Sequence, residues 1–243
     1  MDGGGSGVAL TKLARRLFLL LALLGGACAR AAEIRGVYPS ADQLPENLAR
    51  FHLYFSAPMP AAEAPARVHL VDTRGNTVPV SLSPAEGLET HFVVAIRAGS
   101  LHAGTRYSIT VDQAWTDTSG TPLPQAFRKE FRATTADRSA PNPKHWKLAL
   151  PDPDTDDTLT VDLDEALDYF LAGRFLTLVG PQGPVSGHPE LTKEETRWVF
   201  EPGGPWLAGT YRLLVGRAIT DLADNRVAGA APGATISVSF RIR

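Results

Sequence analysis

Between residues 51 and 55 the chain alternates Phe51, Leu53 and Phe55 with His52 and Tyr54. Between 159 and 163 it alternates Leu159, Val161 and Leu163 with Thr160 and Asp162. A two-residue period puts one set of side chains on one face of an extended segment. The same period predicts strands near 34–38, 50–56, 67–72, 77–82, 91–96, 105–112 and 127–134. It predicts a second set near 145–150, 157–163, 174–179, 195–200, 210–216 and 234–242. Turn-forming runs such as TRGN and TDTSGTP separate them. One short helical segment is expected over 165–173, where Leu167 shares a face with Phe170 or Leu171 and Gly173 stops it.

The second set of strands repeats the first. VHLVDTRGNTV at 68–78 answers to FLTLVGPQGPV at 175–185, with Gly75 and Gly183 separated by 108 positions, as Phe55 and Leu163 are. AGTRYSITVDQAWTDTSG at 103–120 answers to AGTYRLLVGRAITDLADN at 208–225, with Tyr107/Tyr211 and Asp117/Asp221 separated by 104. Conservation of order, spacing and turn residues together implies a duplicated unit. In each copy a glycine turns the chain into a strand, and the tyrosine opens it. A buried tyrosine at such a corner bonds back to backbone, and the aspartate caps the next turn through its side chain. ADRSAPNPK at 136–144 carries two prolines and no apolar period, which marks a short, stiff link. Six or seven short strands per copy predict an all-β chain of two tandem immunoglobulin-like sandwiches, residues 33–135 and 136–243.

These residues carry a family resemblance. Val37-Tyr38-Pro39 and Phe55-Ser56-Ala57-Pro58-Met59 resemble the opening of bacterial Ig-like domains of the S-layer SbsA type. Gly104…Tyr107…Asp117-Thr-Ser-Gly120 and Gly209…Tyr211…Asp221-Leu-Ala-Asp224-Asn225 resemble their closing motif. The first copy has Thr121 where the pattern has Asn. The second has Asp224 for Gly and reads Glu165-Ala-Leu-Asp168 in place of Pro-Met. The resemblance implies modules of exported bacterial proteins that serve as spacers, adhesion modules or accessory domains.

The first 31 residues read as a secretory signal: Lys12, Arg15 and Arg16 precede an eight-residue apolar run, Leu17 to Leu24, too short to span a membrane. Arg15-Arg16 resembles a twin-arginine signal, but the leucine-rich run favours the ordinary secretory route. Cys28, the single cysteine, allows two outcomes. It is the lipidated first residue of a lipoprotein, or the signal is cut after Ala29 or Ala31 to release a soluble protein. Gly25 stands where a lipobox carries Leu. Either way the remainder has no disulfide and no cysteine–zinc site. Cleavage after Ala31 removes Lys12, Arg15, Arg16, Arg30 and Asp2, so 24 basic and 26 acidic residues become 20 and 25. That balance, with no basic run longer than two, argues against nucleic acid and anionic membrane surfaces as partners.

Candidate chemistry is sparse. Asp152, Asp154 and Asp156 have calcium-loop spacing, but Asp157 and Leu163 stand where an EF-hand needs Gly and Glu. A non-EF calcium loop there, with Asp221, Asp224 and Asn225 as a second cluster, competes with a solvated loop and a capped turn. The six histidines are scattered singly; His52 and His69 fall at polar strand positions from which they could meet across a sheet. No metal or cofactor site, no nucleophile elbow and no phosphate loop is expected. The candidate binding residues are Trp198, Trp206 and Tyr211, with the 181–190 loop and the EPGGPW bend at 201–206; core packing competes for the same rings, above all for Trp198. The sequence therefore points to an exported, non-catalytic envelope module that binds or spaces, with an envelope protein or polysaccharide as partner. The alternatives are a carbohydrate-binding accessory protein using those rings, or a hydrolase whose inter-domain site holds Asp164, Asp168 and His188.

Overall fold

Phe51, Leu53 and Phe55 face inward, at 0, 0 and 5% exposure, and so do Leu159, Val161 and Leu163. The strand periodicity in the sequence is thus the periodicity of burial. The computed structural model describes residues 31–229 and 235–243. Residues 1–30, with the expected signal and Cys28, lie outside the described residues.

The first copy forms two four-stranded sheets. β1 (Ile34–Tyr38), β3 (Arg50–Phe55), β6 (Leu88–Ile96) and β5 (Val80–Ala85) make one, in the order β1-β3-β6-β5, all antiparallel. β2 (Gln43–Pro45), β8 (Phe127–Thr134), β7 (Arg106–Val111) and β4 (Val68–Asp72) make the other, in the order β2-β8-β7-β4, with β2 parallel to β8. A 3-10 turn (Ala61–Glu63) and the single-turn α1 (Ala64–Arg67) lead into β4. The second copy repeats the plan. β9 (Lys147–Ala149), β10 (Leu159–Asp162), β14 (Arg197–Pro202) and β13 (Gly187–Thr192) form one sheet, ordered β13-β14-β10-β9. β11 (Leu176–Gly180), β12 (Gly183–Pro184), β15 (Gly209–Val215) and β16 (Ile236–Ile242) form the other, ordered β12-β11-β15-β16. The chain is an all-β protein of tandem Ig-like sandwiches.

Three strands were not anticipated: β2, β12 and β13. The expected strand at 77–82 begins at Val80, because Thr77 makes only an isolated bridge to Val71 and Pro79 has no N–H for a ladder. The expected helix at 165–173 runs as α2, Tyr169–Phe175, because Asp168 caps it through Leu171 N–H at 2.9 Å.

The duplication extends to single hydrogen bonds. Trp115 N–H reaches Asp112 O, and Ile219 N–H reaches Gly216 O, 104 positions on; Thr116–Pro122 and Thr220–Arg226 are matching bridges. Asp117 Oδ1 accepts Ser119 and Thr121 N–H at 2.8 and 3.0 Å, and Asp221 Oδ1 accepts Ala223 and Asn225 N–H at 2.8 Å each. Tyr107 and Tyr211 close their corners: Tyr107 OH accepts from His102 N–H at 2.9 Å, while Tyr211 OH donates to Leu207 O at 2.9 Å and accepts its N–H at 3.1 Å. Each sandwich has its own hydrophobic core, one centred on Phe51, Phe92 and Trp115, the other on Leu159, Trp198 and Trp206. Residues Ala32–Arg243 nevertheless form one compact unit, so the sandwiches are in close contact.

Candidate functional site

Arg50, His52 and Tyr54 occupy the alternate positions of β3, on the outer face of the β1-β3-β6-β5 sheet, beside Tyr38 and His91. An outer face is ordinarily solvated. Here His52 and His91 are each 3% exposed, because the capped end of α2 from the second sandwich lies on them. Asp168 Oδ2 accepts a hydrogen bond from His52 Nε2 at 3.0 Å, and His52 Nδ1 meets His91 Nε2 at 2.9 Å. A single proton lies between the two facing nitrogens. Burial, then the neighbouring His52 ring, push His91 down to about 4, against a weaker pull from Asp168. Burial would raise the Asp168 carboxyl, but the His52 bond and charge, the Leu171 N–H and Arg50 together hold it below the usual range. The rings of Tyr38 and Tyr169 stack at 3.5 Å and 7°, closing the site on one side. Burial pushes the Tyr54 and Tyr169 phenols up.

The contact surface continues along both modules. The β13–β14 hairpin places Lys193, Glu194 and Glu195 at φ of 49, 55 and 62°, a left-handed run that β-carbons disfavour. It delivers the Glu195 carboxylate, 1% exposed, to Ser40 N–H at 3.0 and 3.2 Å. Leu222 packs on the first core, and its carbonyl accepts Ala49 N–H at 2.9 Å. Arg50 pairs with Asp224, and Arg174 with Glu86. Asn47 holds the link through Asp137 O at 2.7 Å and Asp137 N at 2.8 Å. This arrangement fixes two modules against each other through hydrogen bonds that only their juxtaposition satisfies.

Asp137, Glu165 and Asp221 converge beside the link, their oxygens within 4.8 Å of one another. Burial, then the charges of Asp137, Asp221 and Asp164, push Glu165 up to about 7. Of the described residues this is the carboxylate group that could hold a hard cation. Its Asp221 oxygens, however, are already engaged by the turn and by Asn225 Nδ2 at 2.8 Å. The expected cluster of Asp221, Asp224 and Asn225 is not assembled, since Asp224 turns away to Arg50. Asp152, Asp154 and Asp156 are exposed on their loop. His69 is on β4, in the sheet opposite His52, so the expected histidine pair is His52–His91 instead.

The candidate binding rings lie in the second core. Trp198, Trp206 and Tyr211 are 1, 1 and 3% exposed, and they stack among themselves and with Phe200 in the second core. Trp206 Nε1 donates to Asp157 O at 2.7 Å, an orientation that turns the ring inward. A sugar-stacking platform needs solvent-facing rings, and these three offer none. Parts of the expected 181–190 loop and 201–206 bend, with Trp206 and Tyr211, border a cleft of about 140 Å³. The proposed hydrolase residues are also separated. Asp164 accepts from Asn142 N–H and Trp146 Nε1 at 2.9 and 2.8 Å. Asp168 is in the joint, and His188 is exposed opposite Glu201, at the far end of β14 from Arg197 and Asp162.

The joint had a signal in the repeat. Tyr38, His52, Tyr54 and His91 correspond by register to Ala149, Thr160, Asp162 and Arg197. Aromatic rings at outward positions of one copy, against small or charged residues in the other, mark the face that is covered.

The strand order and paired cores define the class, a tandem immunoglobulin-like β-protein. No protein-family model and no curated protein matches the sequence. Similar solved structures include the N-terminal part of the bacterial S-layer protein SbsC, at 13% identity and a TM-score of 0.36 over 96% of this chain and 48% of that one. This chain therefore spans about half the length of that SbsC fragment. Native alpha-2-macroglobulin from Escherichia coli, domains MG0-NIE-MG1, is similar at 15% identity and a TM-score of 0.34, over 88% of this chain and 72% of that one. Chimeric titin Z1Z2 is similar at 11% identity and a TM-score of 0.29, over 88% and 93%. The class stands on strand order and register. Among the described residues no helix is long and apolar enough to cross a membrane.

Proposed function

We propose that the chain is an exported, non-catalytic envelope protein of SbsA-type Ig-like modules, with residues 33–135 and 136–243 as its two domains. The pair acts as a rigid spacer that presents a binding surface at a set geometry. The observation that carries this reading is the His52–Asp168 contact, 3.0 Å long and buried between the modules. A flexible tether would leave such groups solvated, whereas a spacer needs them locked. Export is supported by the basic residues and apolar run before Ala31, and Cys28 offers a lipid anchor.

Distance distributions between spin labels at Thr118→Cys and His188→Cys test rigidity. One narrow peak is expected, broadened by Asp168→Ala combined with Tyr169→Ala. A broad distribution in the otherwise native protein rejects the spacer reading. Palmitate labelling compared with Cys28→Ser decides between the anchored and the released form.

A further inference from the structure

β8 is paired along one side by β7 and along the other only over Arg132–Thr134, by β2. Among the described residues no strand covers the outer edge of Phe127–Phe131. Arg132 N–H donates to Asp42 O at 2.8 Å, which identifies the outer side. Backbone directions alternate along a strand, so Arg128 and Glu130 also turn their N–H and C=O groups outward. Beside them runs a groove of about 1030 Å³, lined by every residue from 127 to 135 and by Arg106.

Two arginines stand near the end of this edge, Arg132 on β8 where β2 begins and Arg106 on the neighbouring β7. Arg106 and Arg132 stand directly opposite each other across the β7–β8 pair, both exposed. Neither makes an ion pair among the described residues, whereas Arg128 is held by Glu130 at 2.9 and 3.1 Å. Like charges opposed on a sheet are unfavourable, and a carboxylate set between them offsets the repulsion. Lys129 points inward and donates to Ser40 O at 2.6 Å. An inward lysine guards an edge against unselective pairing, so backbone bonds alone do not fill it.

We infer that the outer edge of β8 accepts an extended peptide segment bearing Asp or Glu at alternate positions. The segment adds as a further strand over Phe127–Phe131, and an acidic side chain at its end nearest Arg132 reaches over the face of β8 toward Arg132 and Arg106. This is strand addition, in which backbone bonds supply affinity and side chains supply selectivity. Donors and acceptors on the edge repeat about every 6.6 Å, the two-residue spacing of a strand. No exposed aromatic ring lines the groove to stack a sugar, since Phe127 is half-buried and Phe131 buried. The inference is independent of export.

The test uses 15N-labelled protein and two capped hexapeptides, Thr-Glu-Val-Glu-Val-Thr and Thr-Lys-Val-Lys-Val-Thr, followed by amide shifts and hydrogen exchange. The glutamate peptide is expected to shift the Arg128 and Glu130 amides and slow their exchange at least tenfold, with no effect from the lysine peptide. The double variant Arg106→Glu with Arg132→Glu, its melting temperature checked against the parent, is expected to weaken binding at least tenfold. Equal response to both peptides, or none at millimolar concentration, overturns the inference. So does a uronate oligosaccharide that shifts side-chain signals of Arg106 and Arg132 where the peptide fails, which assigns the arginines to an anionic glycan.

Discussion

His52 and Asp168 are 116 positions apart in the chain and 3.0 Å apart in space, and both are buried where the two sandwiches meet. The contact is therefore a property of the joint, and the joint can be probed one residue at a time.

Asp168→Asn should keep the cap on α2, since asparagine accepts from Leu171 N–H as aspartate does, while His52 loses its carboxylate acceptor. Removing one partner of a buried pair typically costs about 3–5 kcal/mol, less where the remaining ring can stay neutral. A loss of about 2 kcal/mol is expected for Asp168→Asn, and about 1 kcal/mol more for Asp168→Ala, which also removes the cap. Urea denaturation measures both. Equal losses would show that the cap contributes nothing.

Two groups give the stability a pH dependence of opposite sign. His91 falls from 6.5 in the unfolded chain to about 4 in the folded one. Between these values the unfolded chain takes up the proton and the folded one does not, so stability drops by about 3 kcal/mol as pH falls from 6.5 to 4. Glu165 rises from 4.5 to about 7. There the folded chain retains the proton longer, so stability drops as pH rises from 4.5 to 7, by about 1–2 kcal/mol given its partial solvent access. His91→Gln should flatten the acidic arm, and Glu165→Gln the arm toward neutral pH. Melting curves from pH 4 to 8 that keep the parent's slopes would refute these assignments.

The two corner tyrosines are matched in sequence but not in bonding. Tyr107 OH accepts one backbone bond, whereas Tyr211 OH both donates and accepts. Tyr211→Phe is expected to cost about 2 kcal/mol and Tyr107→Phe about 1 kcal/mol, read from denaturant midpoints. The reverse order would contradict the geometry.

Trp206→Ala is a stability variant and not a ligand variant. The ring is 1% exposed and its N–H closes the 152–157 loop. Truncation should cost about 3–5 kcal/mol. A folded variant of unchanged stability that loses a bound polysaccharide would restore the binding role of this residue.

The sequence by itself determined what depends on neighbours along the chain. Period-two alternation placed Phe51, Leu53, Leu159 and Val161 inward. The matched phrases around Tyr107 and Tyr211 located both corners, because a turn, a capping aspartate and a strand start are made within some twenty residues. Short edge strands such as β2 and β12 were not legible, since two or three residues carry no period. Tertiary structure alone decided which of two available faces each aromatic ring takes. Alternation says that Trp198 and Phe200 share a side, and only the packing of β14 against the second core says that the side is interior. It alone decided, too, that His52 is buried. A strand's outward positions are solvated until another body covers them, and the pattern of one strand holds no information about a module that begins a hundred residues later.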